Sequence, residues 1–296
     1  MSDWPVGLST GSFYRRSIME CLEPIRTHGF TILEICSHRD HLDYHDREQV
    51  RRIARHLEAL GLEAYSFHAP FARDLDITDP DEDNRRRSIG EMLRAAEAAA
   101  IIDARYLVLH PGPEKELELG PEESMARQRA GILALNEIAA RCRALNLRLV
   151  LENMLPHLSC GDISNLLRCL GAIRGAEVGT CLDTGHGFLS GELEHITTVL
   201  AGSLKMVHAS DNAGQYDDHL PPGRGRIDWL RLLSHLRRTG FAGSIILELN
   251  GNSAEKPASL LRQAQAARLY LRRLFRRLDL EAGAAGPKML TEGRPD

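Results

Sequence analysis

Asp183 and His186 follow a short apolar run, Val178-Gly179-Thr180-Cys181-Leu182, that reads as a buried strand entering a sharp turn. A strand that ends in Asp-x-x-His sets two kinds of metal ligand at one mouth of a sheet. Alone, such a pair is more often a turn former and a surface base. The same residue types recur, however, after other apolar runs: His68, His110, Glu152, His208 and Glu248. The loop that follows His208 adds Asp217 and His219. One imidazole at a strand end is ordinarily a hydrogen-bonded structural group, and one carboxylate a cap or ion-pair partner. Four carboxylates brought close together would repel, and several would stay protonated at neutral pH unless cations compensated. Divalent metals remove that conflict, and neutral imidazoles complete their shells. No cysteine stands among these residues, so zinc, manganese and iron all suit the donor set.

Elements must bring these residues together. Eight apolar runs, at 6–9, 31–36, 63–68, 105–110, 148–152, 178–183, 204–208 and 244–248, read as strands. Helical patterns are expected over 17–28, 46–60, 81–101, 121–145, 162–173, 192–200, 228–238 and 257–278. Several open on Asp and close on Gly, residue types that cap helix ends. Eight strands alternating with eight helices fit parallel strands joined by crossover helices, and predict a closed (β/α)8 TIM barrel. The barrel is expected over residues 1–280, with 281–296, small and turn-forming, as a disordered tail. In such barrels the C-terminal strand ends form the active face, where the candidate ligands fall. The two-residue strand period turns Val150 with Glu152, Val108 with His110, Met206 with His208 and Ile246 with Glu248 toward the bore. Cys181 shares a face with Asp183 one layer deeper, as core.

The rest of the composition narrows the partners. The 296 residues are 43% hydrophobic and 26% charged, which is ordinary for a globular protein. A formal net charge of -4 does not suggest a protein that lives on nucleic acid. The arginine groups at 85–87 and 272–277 sit in helical patterns beside acidic residues and read as solvated faces. The six cysteines form no Cys-x-x-Cys pair and are expected to be free thiols in a reducing cytoplasm. The opening Met-Ser-Asp-Trp-Pro reads as no secretory leader, and no apolar run suits a membrane span.

Five segments carry a resemblance: Phe67-His68-Ala69-Pro70, Leu109-His110-Pro111-Gly112, Leu151-Glu152-Asn153, Leu182-Asp183-Thr184-Gly185-His186 and Asp217-Asp218-His219. Together they resemble the xylose isomerase-like, or AP endonuclease 2, superfamily of TIM barrels, from about Gly7 to Tyr270. The motif set is specific for the superfamily and not for one reaction. Endonuclease IV-type members hold three zinc ions with nine ligands. That resemblance implies His68, His110, Glu152, Asp183, His186, His208, Asp217, His219 and Glu248 as the ligands. Sugar epimerases and isomerases of the superfamily use one metal, typically manganese or a similar ion, which implies Glu152, Asp183, His208 and Glu248. The chain departs from the repair enzymes after His208, where Ala209-Ser210-Asp211-Asn212 carries no lysine, and it has no evident basic, wedge-bearing surface for DNA. The stretches Ser9-Thr10-Gly11-Ser12-Phe13-Tyr14 and His41-Leu42-Asp43-Tyr44-His45-Asp46 look like a third branch, the cobamide-remodelling phosphodiesterases.

Two activities therefore compete. A hydrolase of a small phosphodiester or phosphoribosyl compound would use two or three ions, most simply zinc, to activate a water and take up phosphoryl charge. Glu152 would bridge ions and act as a base, while Arg224 and Arg226 would either reach a phosphate or, equally well, stand as solvated loop charges before a helix cap at Asp228. A sugar or sugar-phosphate isomerase would instead move a proton between Glu152 and Glu248, with His186 orienting a hydroxyl. A barrel that binds metal without catalysis ranks third, because nothing in the ligand set looks eroded. The use of all nine ligands tilts the balance to hydrolysis of a small phosphorylated or sugar-like substrate.

Overall fold

The computed structural model describes residues 4–250 and 257–284. Eight strands lie in chain order: β1 (Val6–Ser9), β2 (Ile32–Cys36), β3 (Glu63–His68), β4 (Tyr106–Leu109), β5 (Arg148–Glu152), β6 (Val178–Asp183), β7 (Leu204–Ala209) and β8 (Ser244–Leu247). Each pairs in parallel with its neighbours, and β1 pairs with β8, so the sheet closes into a barrel. Around it run α1 (Ile18–Thr27), α2 (Arg47–Leu60), α3 (Glu82–Ile101), α4 (Pro121–Ala144), α5 (Ile163–Ala172), α6 (Thr184–Leu189), α7 (Leu193–Leu200), α8 (Trp229–Arg238) and α9 (Pro257–Ala284).

The helices form where polar and apolar positions alternate with helical period. In α2, Val50, Ile53 and Leu57 are buried, and Asp46 caps the helix by accepting from the backbone N–H groups of Glu48 and Gln49. Gly61 ends it in the left-handed conformation, with φ of 60°. Asp81, Asp162 and Asp228 cap α3, α5 and α8 in the same manner. The strand faces that look outward meet these helices in one continuous apolar layer, including Leu33, Phe67, Leu107, Leu149, Leu182 and Val207. Each such fully buried side chain contributes roughly 1.5–3 kcal/mol relative to exposure.

Inside the barrel, Tyr65, Val108, Val150, Cys181, Met206 and Ile246 form a separate apolar cluster. Five of these precede a candidate ligand by two residues, as the strand period requires. Tyr65 is the exception. The β2–β3 register shifts between Leu33 and Glu34, which pair with Ala64 and Ser66, so β3 holds one extra residue there. This bulge lets Tyr65 join the interior cluster while the next residue, Ser66, also bonds inward to Glu34.

The elements differ from expectation at a few ends. His110 and Glu248 stand one residue beyond β4 and β8, not within them. The turn expected at 184–186 is the start of a short helix, α6, so the β6–β7 crossover carries two helices. The last helix runs to Ala284, past its expected end at 278, and ion pairs Arg237–Asp279 and Arg277–Glu281 hold this extension. The rest of the expected tail, 285–296, lies outside the described residues. All six cysteines are free thiols. Among the described residues no helix is long and apolar enough to cross a membrane.

Candidate metal centre

The strand ends, α6 and the β7–α8 loop bring all nine candidate ligands to one face of the barrel. They fall into groups whose ligand atoms lie within 4.8 Å of one another: Glu152, Asp183, His208 and Glu248; His186, Asp217 and His219; and His68, Glu152 and His208. His110 joins through Glu152, whose Oε2 is 3.4 Å from His110 Nε2 and 3.3 Å from His68 Nε2. On its other side, Glu152 Oε1 lies 3.1 Å from His208 Nδ1, and Glu248 Oε2 is 3.2 Å from that same nitrogen. Asp217 Oδ2 faces His186 Nε2 at 3.4 Å and His219 Nε2 at 2.8 Å.

Local structure fixes each donor. Asp183 ends β6 and also caps α6: its Oδ1 accepts from the His186 backbone N–H at 2.7 Å, leaving Oδ2 for the centre. Gly185 is required in this turn, since a Cβ there would approach Ser210 Oγ to 2.7 Å and the Asp183 and Asp217 Oδ1 atoms to 3.3 Å. Asp217 and His219 are delivered by the β7–α8 loop, which folds around Asp211. That buried carboxylate accepts from the N–H groups of Asn212, Gly223 and Ile227 and from Trp229 Nε1. His219 itself adopts φ of 47°, a left-handed conformation uncommon for a side-chain-bearing residue. Two hydrogen bonds hold it there: its Nδ1–H donates to the Glu248 carbonyl, and its own carbonyl accepts from the Asn250 N–H.

Burial and charge set the protonation. Burial raises Asp183 to about 6; His186 opposes this, while Glu152, Glu248 and Asp217 add to it. The remaining carboxylates go the other way. Burial would raise Glu152, but His208 and His110 hold it well below the usual carboxylate range. Burial likewise opposes the fall of Glu248, which His208 and His219 bring to about 2. The imidazoles answer in kind. Against burial, Glu152 and Glu114 raise His110 to about 10, Asp183 and Asp217 raise His186 to about 9, and Asp217 and Glu248 raise His219 to about 10. The expectation that several carboxylates stay protonated at neutral pH is therefore not met: even Asp183, raised to about 6, is mostly ionised there, and the imidazoles take the protons instead. A metal must displace those protons to bind.

The residues fit divalent ions on a direct observation. Asp183 Oδ2 and Asp217 Oδ1 are buried without a hydrogen-bond partner, Glu152 Oε2 meets only the ill-aligned His68 and His110 Nε2 atoms at 3.3 and 3.4 Å, and all three belong to the ligand groups. A buried carboxylate oxygen left unpaired is costly, and a cation satisfies it.

Three contributors were not singled out from the sequence. Glu34, in the middle of β2, is fully buried and bonds to His208. Its signal was a lone carboxylate at an alternate position of the apolar strand Ile32-Leu33-Glu34-Ile35-Cys36. Glu114 accepts from His110 Nδ1 at 2.5 Å, four residues on, and had no signal beyond that spacing. The Asn153 carbonyl accepts from His186 Nδ1 at 2.8 Å, which main-chain chemistry hides from any sequence pattern. Arg224 and Arg226 lie exposed on the β7–α8 loop. Arg226 lines a cavity of about 500 Å³ with Phe188, His195 and Arg231, and no member of the ligand groups lines that cavity.

A closed eight-stranded barrel with carboxylates and imidazoles at its C-terminal mouth defines a class, and the chain belongs to the xylose isomerase-like TIM barrel family, whose model matches residues 22–274. Among curated relatives, an uncharacterized protein of Methanocaldococcus jannaschii is 27% identical over 268 residues, covering 88% of this chain and 89% of its own. A probable endonuclease 4 of Aquifex aeolicus is 27% identical over 182 residues, covering 54% of this chain and 61% of its own. Among solved structures, a D-tagatose 3-epimerase-like protein matches with a TM-score of 0.82 at 24% identity, covering 94% of this chain and 99% of its own. The IOLI protein with a bound zinc atom matches at 0.77 and 17% identity, covering 90% of this chain and 97% of its own. At such identities the structural likeness speaks for the fold.

Proposed function

We propose that this protein is a multi-metal hydrolase of a small phosphodiester or phosphoribosyl compound, with cobamides among the candidate substrates. The observation that carries the reading is that His186, Asp217 and His219 form a ligand group sharing no residue with Glu152, Asp183, His208 and Glu248. A single ion leaves one of these groups, with its unpaired Asp217 Oδ1, without a task. Two or three ions, zinc by preference, employ both groups and also His68 and His110, which face the second oxygen of Glu152.

Divalent ions held there supply Lewis acidity to a water nucleophile and to the phosphoryl oxygens. The chain's own groups do the rest. Glu152, between three imidazoles, would join the His68 and His110 side to the group of Asp183, His208 and Glu248 and stand as the base toward the attacking water. His186, fixed at Nδ1 by the Asn153 carbonyl, presents Nε2 beside Asp217. Arg224 and Arg226 are offered as the contacts to substrate phosphate, since both are exposed on the loop that delivers Asp217 and His219. A net charge of -4 favours a small substrate over nucleic acid.

A second reading has its own support. Glu152 and Glu248 both reach His208 Nδ1, at 3.1 and 3.2 Å, and so flank one ion position as a proton-transfer pair of a sugar epimerase would. The similarity to the epimerase-like structure runs over nearly the whole chain. Elemental analysis of the metal-replete protein, with turnover measured on a phosphodiester panel and a ketose panel, separates the two. Hydrolysis requires more than one ion per chain, and His68→Ala or His110→Ala should lower that number while leaving one ion near Glu248. One ion in parent and variants, together with turnover of a ketose, would leave the epimerase standing.

A further inference from the structure

Five imidazoles face the centre, and four do so alike. His68, His110, His186 and His219 each engage a protein acceptor through Nδ1: the Ala69 carbonyl, Glu114, the Asn153 carbonyl and the Glu248 carbonyl. Each then turns Nε2 toward a carboxylate of the centre. His208 is reversed. Its Nδ1 faces Glu152 and Glu248, and its Nε2–H donates to Glu34 Oε2 at 2.9 Å. That acceptor comes from β2, on a part of the barrel wall not adjacent to β7. Glu34 is fully buried and accepts two further bonds, from Ser9 Oγ at 3.1 Å on Oε1 and from Ser66 Oγ at 2.9 Å on Oε2. The serines come from β1 and β3, the two strands flanking β2, so both neighbours of Glu34 hold its carboxylate in one orientation. The bulge in β3 is what turns Ser66 inward to do this.

We propose that Glu34 is the positioning residue of the metal centre: it fixes His208 as the Nε2–H tautomer and aims Nδ1 at the ion shared with Glu152, Asp183 and Glu248. The ring nitrogen remote from a metal is set by the acceptor it meets, and that acceptor fixes the ring's plane as well. Because Nε2 is occupied, His208 has a single nitrogen to offer. It belongs with Glu152, Asp183 and Glu248 rather than with His68. The inference rests on the metal-centre reading and is independent of the reaction: a parent that binds zinc and hydrolyses nothing leaves it intact.

The experiment titrates zinc into the metal-free full-length parent and the Glu34→Gln and Glu34→Leu variants by calorimetry. The His208 ring tautomer is read in the zinc-loaded proteins by long-range proton–nitrogen NMR. The Gln side chain keeps an acceptor for Nε2–H, so Glu34→Gln should retain the tautomer and bind zinc within about tenfold of the parent. Leu removes the acceptor. Glu34→Leu should mix the tautomers and weaken one zinc site per chain on the order of a hundredfold, the remaining zinc binding being unchanged. A purely structural Glu34 would lower the melting temperature of the metal-free variant and leave both readouts where they were, which would overturn the proposal. If Glu34→Leu does not fold, the zinc-loaded parent still decides, because a His208 ring that keeps its proton on Nδ1 and meets zinc through Nε2 contradicts the assignment. A parent that takes up no zinc removes the metal-centre reading and this inference with it.

Discussion

Three imidazoles converge on the carboxylate of Glu152, two on Oε2 and one on Oε1. The amide of Glu152→Gln keeps the shape but places an N–H₂ group where one of these oxygens was, and it removes the charge that ions would share. This variant should lose at least one ion per chain and at least about a hundredfold in kcat/KM, while the metal-free protein melts within a few degrees of the parent. Parallel elemental analysis, kinetics and calorimetry check it. A residue outside the ligand groups makes a different prediction. His41 is buried, donates from Nδ1 to the Arg16 carbonyl, and leaves Nε2 without a partner. Burial depresses it from its ordinary 6.5 to about 4. Between those values the unfolded chain binds a proton that the folded chain refuses, so stability should fall as pH drops from about 6.5 to about 4, by about 3 kcal/mol, and level off below. His41→Asn, whose side-chain amide can still donate to the carbonyl, should flatten that part of the pH–stability curve in urea titrations. Neither Glu34 nor the unpaired edge of His41 could be read from the sequence. A carboxylate inside an apolar strand is visible there, but its partners lie on other strands, and one of them is 174 positions away.

At the scale of elements, the β7–α8 loop is where sequence reasoning was thinnest. Asp217 and His219 were identifiable by type, whereas the four donors that gather on Asp211 are spread from Asn212 to Trp229 and carry no periodic signal. Asp211 is to that loop what a cap is to a helix end, a carboxylate satisfying N–H groups that would otherwise be buried unpaired. Asp211→Ala should lower stability by about 2–4 kcal/mol in urea unfolding. It should also release Asp217 and His219, so the ion bound with His186 is lost while the ion near Glu248 is retained. Loss of both ions, or of neither, would separate the loop from the ligand group it is held to support. Gly225 belongs to the same knot, since a Cβ there would approach Asp211 Oδ1 to 2.3 Å. The sixth strand shows the converse case. Asp183 was legible as a ligand because it ends an apolar run, but its second task as the cap of α6 was not, because six helical residues after a strand look like a turn.

For the molecule as a whole, the barrel was legible because buried parallel strands are nearly continuous apolar runs and several of the helices between them open on Asp, as α2, α3, α5 and α8 do. The β3 bulge and the nonlocal bonds across the interior were not, since neither alters composition or period. Ions bound to the native site and not to the unfolded chain stabilise by mass action, by about 2.7 kcal/mol when free metal is a hundredfold above its Kd. Chelation should therefore lower the melting temperature at neutral pH by about 5 °C or more, reversibly on adding zinc. A melting curve that does not move after metal removal has been verified would count against the whole centre. The apolar plug of Tyr65, Val108, Val150, Cys181, Met206 and Ile246 beneath the ligands has one more consequence, and it concerns the order of events. With the bore closed from below, the mouth is the side from which ions, water and a substrate would have to reach the ligand groups. Whatever occupies the mouth last must leave first, so an ion cannot exchange while a substrate-sized molecule sits above it. Extraction of the ions by a chelator then becomes a clock on occupancy of the doorway, slow when a bound molecule lingers and fast when the mouth is empty.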